Sequence, residues 1–357
     1  MKLDKQLFLA VLIAGIMAGQ GFAAEPKTAD ALAVVSGEAI MQPEFDSAWA
    51  GILTQAKQLL TPEQMTPQWE KTQKAMLLNQ LVEQRLLAQA AKKKGVEAAK
   101  KDVAAALRKV KSQFKTPEAF QKELAKENIT EKQFSDRIEN QLRIAAFTNG
   151  LIKERVKAPT AEQIRKLFDS VKERLAQPDK VDAAGDAQQA EITALARYFK
   201  TNLAERVKIQ YILFKADEKA APEQLAANAK KADEVKAKLD AGASFTDMAM
   251  QYSEDKATAP KGGEIGYIVR GQMVKDYEDV IFGLPVGAVS GVVNTKPGYQ
   301  IIRVMEKTAA AEFRYEGARE YLANYLVRVA AKEEVARYVQ DLKKSAVISV
   351  RPEPVKL

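Results

Sequence analysis

The hydrophobic period of this chain switches twice, and that switch restricts the fold more than any other feature. From residue 61 to about 172 apolar side chains recur every three to four positions, as in Leu78, Val82 and Leu86 with Leu77 and Leu81 beside them. At Val207 the pattern turns to alternation: Val207, Ile209, Tyr211 and Leu213 are interleaved with Lys208, Gln210 and Ile212. From 313 to about 345 the helical spacing returns, with Tyr321, Tyr325 and Val329 beside Leu322 and Leu326. A helix-patterned segment does not settle as a strand, so a strand-bearing unit has to lie between two helical stretches. The last amphipathic stripe is long and needs a partner surface. The N-terminal helices are the nearest one, which predicts an α+β domain inserted into a single helical domain.

Local signals divide the helical part. Thr61-Pro62-Glu63-Gln64 offers an N-cap, a first-turn proline and a capping-box glutamine, and Thr116-Pro117-Glu118 a cap and a proline. Thr130 with Gln133, and Thr160 with Gln163, repeat the capping-box spacing, while Gly95 and Gly150 read as stops. Pro43-Glu44-Phe45 opens an earlier helix, preceded by two extended pieces around Ser36-Gly37. Residues 176–190 read as an exposed linker, with a helix from about 190 to 203. Beyond the 207–213 strand the order is a long helix (about 222–239), a helix opened by Ala243-Ser244-Phe245-Thr246, a strand at the glycine-rich stretch 262–267, a helix (about 275–282), and strands at 289–293 and 299–304.

Composition removes several chemistries. The chain has no cysteine and no histidine, so thiol catalysis, disulfides and histidine acid–base work are excluded. The formal charge is +8, but Lys and Arg alternate with acids, as in Lys101-Asp102, and read as solvated helix faces instead of a nucleic-acid patch. Gly262, Gly263 and Gly266 lack the Gly-Lys-Ser/Thr of a phosphate loop and read as turn residues. At the N-terminus Lys2 and Lys5 precede an apolar run from Leu7 to about Ala18, then small residues at Gly21 and Ala23. This predicts an export signal over 1–23, cut after Ala23; the alternative is a retained anchor, for which the run falls short of the ~20 residues of a spanning helix.

The segment 207–307 resembles the parvulin (rotamase) family. The resemblance rests on Tyr211-Ile212-Leu213, Gly242-Ala243-Ser244-Phe245, Tyr252-Ser253-Glu254-Asp255, Lys261-Gly262-Gly263-Glu264-Ile265-Gly266, Gly271-Gln272-Met273-Val274, Val280-Ile281-Phe282, and Gly298-Tyr299-Gln300-Ile301-Ile302-Arg303-Val304, all in order. The flanks, opening on Val34-Val35-Ser36-Gly37-Glu38-Ala39-Ile40, resemble exported SurA-like and PrsA-like foldases. The resemblance implies a helical chaperone-like domain at 24–175, a linker and connecting helix at 176–204, a parvulin domain at 205–308 and a C-terminal helix at 309–357 packing on the first domain. It implies peptidyl-prolyl isomerisation of unfolded exported polypeptides, periplasmic or otherwise outside the cytoplasm, with no cofactor, no metal, no nucleic acid and no membrane span after cleavage. The alternative is a chaperone whose parvulin domain is weak or inactive. The oligomeric state stays open.

By the same resemblance Met273 and Tyr277 line a proline pocket with Phe282 as a further wall, and Asp255 stands near the substrate carbonyl. From spacing alone Met273 and Tyr277, four apart on one helical turn, read equally as core, and Asp255 as a turn residue. Tyr211 and Gln300 fall where many parvulins carry histidines. Both can hydrogen-bond, so a Tyr211–Gln300 or Asp255-linked bond is expected beneath the pocket.

Overall fold

The computed structural model describes residues 31–126, 129–177, 186–216 and 221–351. The expected export signal and most of the expected linker lie outside these residues.

The chain forms two compact units: one runs to Ala158 and resumes at Tyr325, the other comprises Pro159–Asn324. In the first, β1 (Ala33–Val35) pairs antiparallel with β2 (Glu38–Ile40) on one side and β7 (Ile348–Val350) on the other. The helices are α1 (Gln42–Leu59), α2 (Pro67–Lys93), α3 (Lys100–Lys111), α4 (Pro117–Lys126) and α5 (Glu131–Arg155). The long α11 (Tyr315–Ser345) adds its portion from Tyr325 onward. Its Val339 is buried against Leu87, Ala90, Ala91 and Phe147, and Leu342 packs on the cluster of Val35, Ile40, Val82 and Leu86. The contacts to the first unit are thus made beyond the stripe read at 321–329, whose Tyr321 belongs to the second unit. A satellite core of Val110, Phe120, Leu124, Phe134 and Ile138 holds α3, α4 and α5 together.

Two local expectations are corrected. The Thr61 box closes only a 3-10 turn, Pro62–Gln64; α2 starts one signal later, where Thr66 Oγ1 accepts the Trp69 amide at 3.1 Å and Pro67 takes the first helical position. Gly150 does not stop a helix. It lies inside α5, whose flanking Phe147 and Leu151 are buried, and that packing outweighs the ~1 kcal/mol helix penalty of glycine. The boxes at Thr130 and Thr160 cap α5 and α6 (Ala161–Ala176), each glutamine accepting its threonine amide at 2.8 Å.

The second unit joins α6, α7 (Ala187–Leu203) and the start of α11 to a four-stranded antiparallel sheet. Phe168 stacks on Phe313 at 4.6 Å and Tyr198 on Tyr321 at 4.3 Å, fastening the helical part. Sheet order is β4 (Glu264–Val269), β3 (Arg206–Lys215), β6 (Gly298–Thr308), β5 (Val293–Thr295). The strand expected at 289–293 is only an isolated bridge from Val289 to Arg303, with the strand itself following. One face, with Ile212, Phe214 and Ile301, is covered by α8 (Pro222–Asp240) and α9 (Phe245–Tyr252). The other, with Ile209, Ile302 and Val304, carries α10 (Lys275–Gly283). Alternation puts Tyr211 and Gln300 on this second face. Among the described residues no helix is long and apolar enough to cross a membrane.

Candidate functional site

Of the sequence-predicted site residues, Tyr211, Gln300, Tyr277 and Phe282 lie on the α10 face of the sheet, and Asp255 is bonded to it through Tyr211. Tyr211 lies mid-β3, opposite Ile302 of β6; Gln300 lies one pleat away, opposite Leu213. Asp255 comes from the loop after α9. Two backbone anchors fix that loop: the Glu254 amide donates to Leu213 O at 2.8 Å, and the Tyr211 amide donates to Gly263 O at 3.0 Å. Gly263 has φ 78°, and a Cβ there would meet Tyr211 O at 2.1 Å, so only glycine lets the loop lie this close to the strand.

Two hydrogen-bond networks result. In the first, Asp255 Oδ2 accepts from the Tyr211 hydroxyl and from Thr258 Oγ1 (2.6 Å), and Oδ1 accepts the Ala257 amide at 3.1 Å. The Thr258 hydroxyl first, then that of Tyr211, holds the Asp255 carboxyl below the ordinary aspartate range. Burial, then the bond to Asp255, pushes the Tyr211 phenol up. The carboxylate is therefore anionic and the phenol neutral across the physiological range. In the second network Gln300, 7% exposed, accepts from Tyr277 Oη at 3.1 Å and donates to Thr295 Oγ1 at 3.0 Å. Burial pushes the Tyr277 phenol up to about 12. Of the two hydrogen bonds expected beneath the pocket, the Asp255-linked one is present, and Gln300 pairs with Tyr277 in place of Tyr211.

The apolar residues divide by burial. Phe282, 5% exposed, is part of the core with Ile281 and Ile302, and the Arg270 guanidinium lies 4.1 Å from its ring centre. Tyr277 is half-buried against the same core. Met273 is 46% exposed and stands outside that core, which disposes of the packing alternative for it. It also precedes α10: the helix begins at Lys275, so Met273 and Tyr277 do not share a helical turn as the spacing suggested. The Gly271–Val274 stretch stays out of the helix because the Glu278 carboxylate takes its amides, Gly271 N at 2.6 Å and Met273 N at 3.1 Å.

Two family descriptions match the chain: a PPIC-type PPIASE domain over residues 193–308 and a SurA-like N-terminal domain over residues 3–148. A parvulin-like PPIase of Rickettsia bellii is 31% identical over 239 residues, covering 66% of this chain and 69% of its own length. The chain belongs to the parvulin-type PPIase family. A foldase protein PrsA of a Geobacillus strain is 36% identical over 152 residues, 42% of this chain and 50% of the relative. The chain thus spans about half the length of that relative. The foldase protein PrsA of Caldanaerobacter subterraneus aligns over 98% of this chain and 97% of its own, at 26% identity. Among solved structures, a SurA-like chaperone of Campylobacter jejuni aligns over 90% of this chain and 99% of its own, at 15% identity and a TM-score of 0.37.

Within this parvulin unit three contributors escaped the sequence reading: Thr258, Thr295 and Glu278. Thr258 was within reach, since an aspartate followed three residues later by threonine favours a side-chain-bonded turn. Glu278 carries no such signature. It bonds to amides ahead of the helix from the helix's fourth residue, outside any capping-box spacing.

Proposed function

We propose that the α10 face of the second unit binds the proline ring of an unfolded polypeptide and speeds rotation about the preceding peptide bond. In this reading Met273 closes the rim, Tyr277 lines the wall and Phe282 forms the floor. Uncatalysed rotation faces ~18–20 kcal/mol and takes tens to hundreds of seconds. It breaks no bond, so a site without a nucleophile, histidine or metal is sufficient. What must be favoured is the twisted amide, in which resonance between nitrogen and carbonyl is lost.

The anionic Asp255 supplies a physical means. A planar amide draws negative charge onto its oxygen; a fixed carboxylate beside that oxygen raises the planar form relative to the twisted one. Tyr211 and Thr258 hold the carboxylate in place, so no reorganisation is needed at the moment of rotation. Tyr277 Oη, already bonded to Gln300, is fixed in the same way. The single observation carrying the reading is that the half-buried Tyr277 and the buried Phe282 share one apolar cluster with Tyr211, whose hydroxyl is bonded to an anionic Asp255.

The substrates are unfolded exported polypeptides with X-Pro bonds, met outside the cytoplasm after removal of residues 1–23. A second reading, a client-holding chaperone, is favoured by the SurA-like match over 3–148. A protease-coupled assay on a proline tetrapeptide decides between them. Isomerisation above the uncatalysed rate, falling at least tenfold in Asp255→Ala, is expected. Uncatalysed rates at high protein concentration would leave the chaperone. Suppression of client aggregation that survives Met273→Ala would assign client binding to the first unit.

A further inference from the structure

Met273 poses a structural problem. The side chain that closes the proposed pocket sits on a non-helical stretch, is nearly half exposed and lies outside the neighbouring core, so apolar packing does not fix it. An untethered loop samples many backbone conformations and carries Met273 with it, and binding substrate would require ordering that backbone. The tether lies underneath. Glu278 is a carboxylate with 8% exposure, a rare burial for an acid. A single oxygen, Oε1, accepts the Gly271 amide at 2.6 Å and the Met273 amide at 3.1 Å. The Met273 amide first, then those of Gly271 and Gln272, keeps the carboxyl below the ordinary glutamate range. Gly271 adopts φ 94°, a left-handed turn that brings its amide round to the same oxygen.

We infer that Glu278 is a positioning residue for the prolyl pocket, its buried carboxylate clasping the 271–273 backbone and so holding Met273 at the rim. It touches no substrate and acts through Met273. The inference rests on the pocket reading above for its consequence, though the clasp itself is testable without it.

Amide hydrogen exchange on the wild-type full chain tests the clasp alone. The Met273 amide belongs to an exposed loop residue, yet its exchange is expected to be slowed at least about tenfold relative to an unstructured peptide. Free exchange there overturns the clasp whatever the kinetics. The consequence is tested by kcat and KM on a proline tetrapeptide. Glu278→Ala removes both acceptor bonds and is expected to raise KM about tenfold with little change in kcat, the pattern of lost uniform binding. Glu278→Gln keeps an Oε1 acceptor and is expected to recover most of that loss. Combined with Met273→Ala, Glu278→Ala is expected to add nothing further to KM. An equal loss in Gln and Ala, or full additivity with Met273→Ala, overturns the positioning role. Should Glu278→Ala fail to fold, the exchange result and the Gln variant still decide. A wild type without isomerase activity sinks the pocket reading and leaves the exchange result standing.

Discussion

Asp255 shows how one side chain ties loop, strand and chemistry together. Its folded-state pKa lies below the unfolded value, so its stabilising contribution is complete above the unfolded pKa and fades as pH falls through the folded one. Near neutrality nothing in the two networks titrates: Asp255 is lowered, Tyr211 is raised and Tyr277 stands at about 12. We therefore expect kcat/KM for a tetrapeptide to stay flat between about pH 5 and pH 9, the interval that ordinary carboxylate and tyrosine values leave empty. A bell-shaped profile in that interval would contradict this assignment of roles. Gly263 is the second residue-scale test. Gly263→Ala drives a Cβ into Tyr211 O and strains a left-handed backbone. A loss of about 2 kcal/mol or more in the stability of the second unit is expected, read from its thermal unfolding, with loss of isomerase activity. The proposed roles of Asp255 and Met273 rest on family resemblance alone, because neither spacing nor composition distinguishes a site aspartate from a turn aspartate. Thr295, the partner of Gln300, stayed hidden, since it is fixed by where β5 pairs with β6.

At the scale of elements, the two corrected helix signals make opposite points. Thr61-x-x-Gln64 has the spacing of a helix start, but the chain turns again at once and Thr66-Pro67 begins α2. Competing caps a few residues apart cannot be ranked by pattern, because the outcome depends on which start lets Leu77, Val82 and Leu86 face the core. Gly150 has the composition of a helix stop, but Phe147 and Leu151 bury the turns on either side and α5 runs through it. A Cβ at Gly150 would meet no atom within 4 Å. Gly150→Ala should accordingly stabilise the first unit by about 0.5–1 kcal/mol, measured as a raised thermal midpoint. The strands and helices of the second unit were more legible, since period two and period 3.6 follow each other there, although the strand expected at 289–293 forms at Val293–Thr295. Met273 is a further exception: its spacing to Tyr277 suggested a shared helical turn, but it precedes α10 and its amide is bonded to Glu278, five residues on.

For the whole molecule, the switch of period correctly implied an inserted unit, because an amphipathic C-terminal stripe has to be covered. The later turns of α11 are covered through Val339 and Leu342 in the first unit, while Tyr321 of the stripe stacks on Tyr198 in the second. Each unit has its own core, so damage to one should leave the other's short-range chemistry intact. Val339→Asp, which buries an unpaired charge among Leu87, Ala91 and Phe147, is expected to cost several kcal/mol, about 3 or more, in the first unit. Calorimetry should show that transition lowered while tetrapeptide isomerisation persists at 25 °C.

The three-stranded sheet joins Val34 to Ser349, nearly the two ends of the described chain, through β1 and β7. A polypeptide made or threaded from its N-terminal side forward therefore cannot complete its first unit until Ser349 and its neighbours have emerged. The unit encoded in the middle, Pro159–Asn324, has every strand and helix it needs well before that. The order of maturation is thus the reverse of the order of synthesis: the inserted unit is finished while the frame around it still waits for its closing strand.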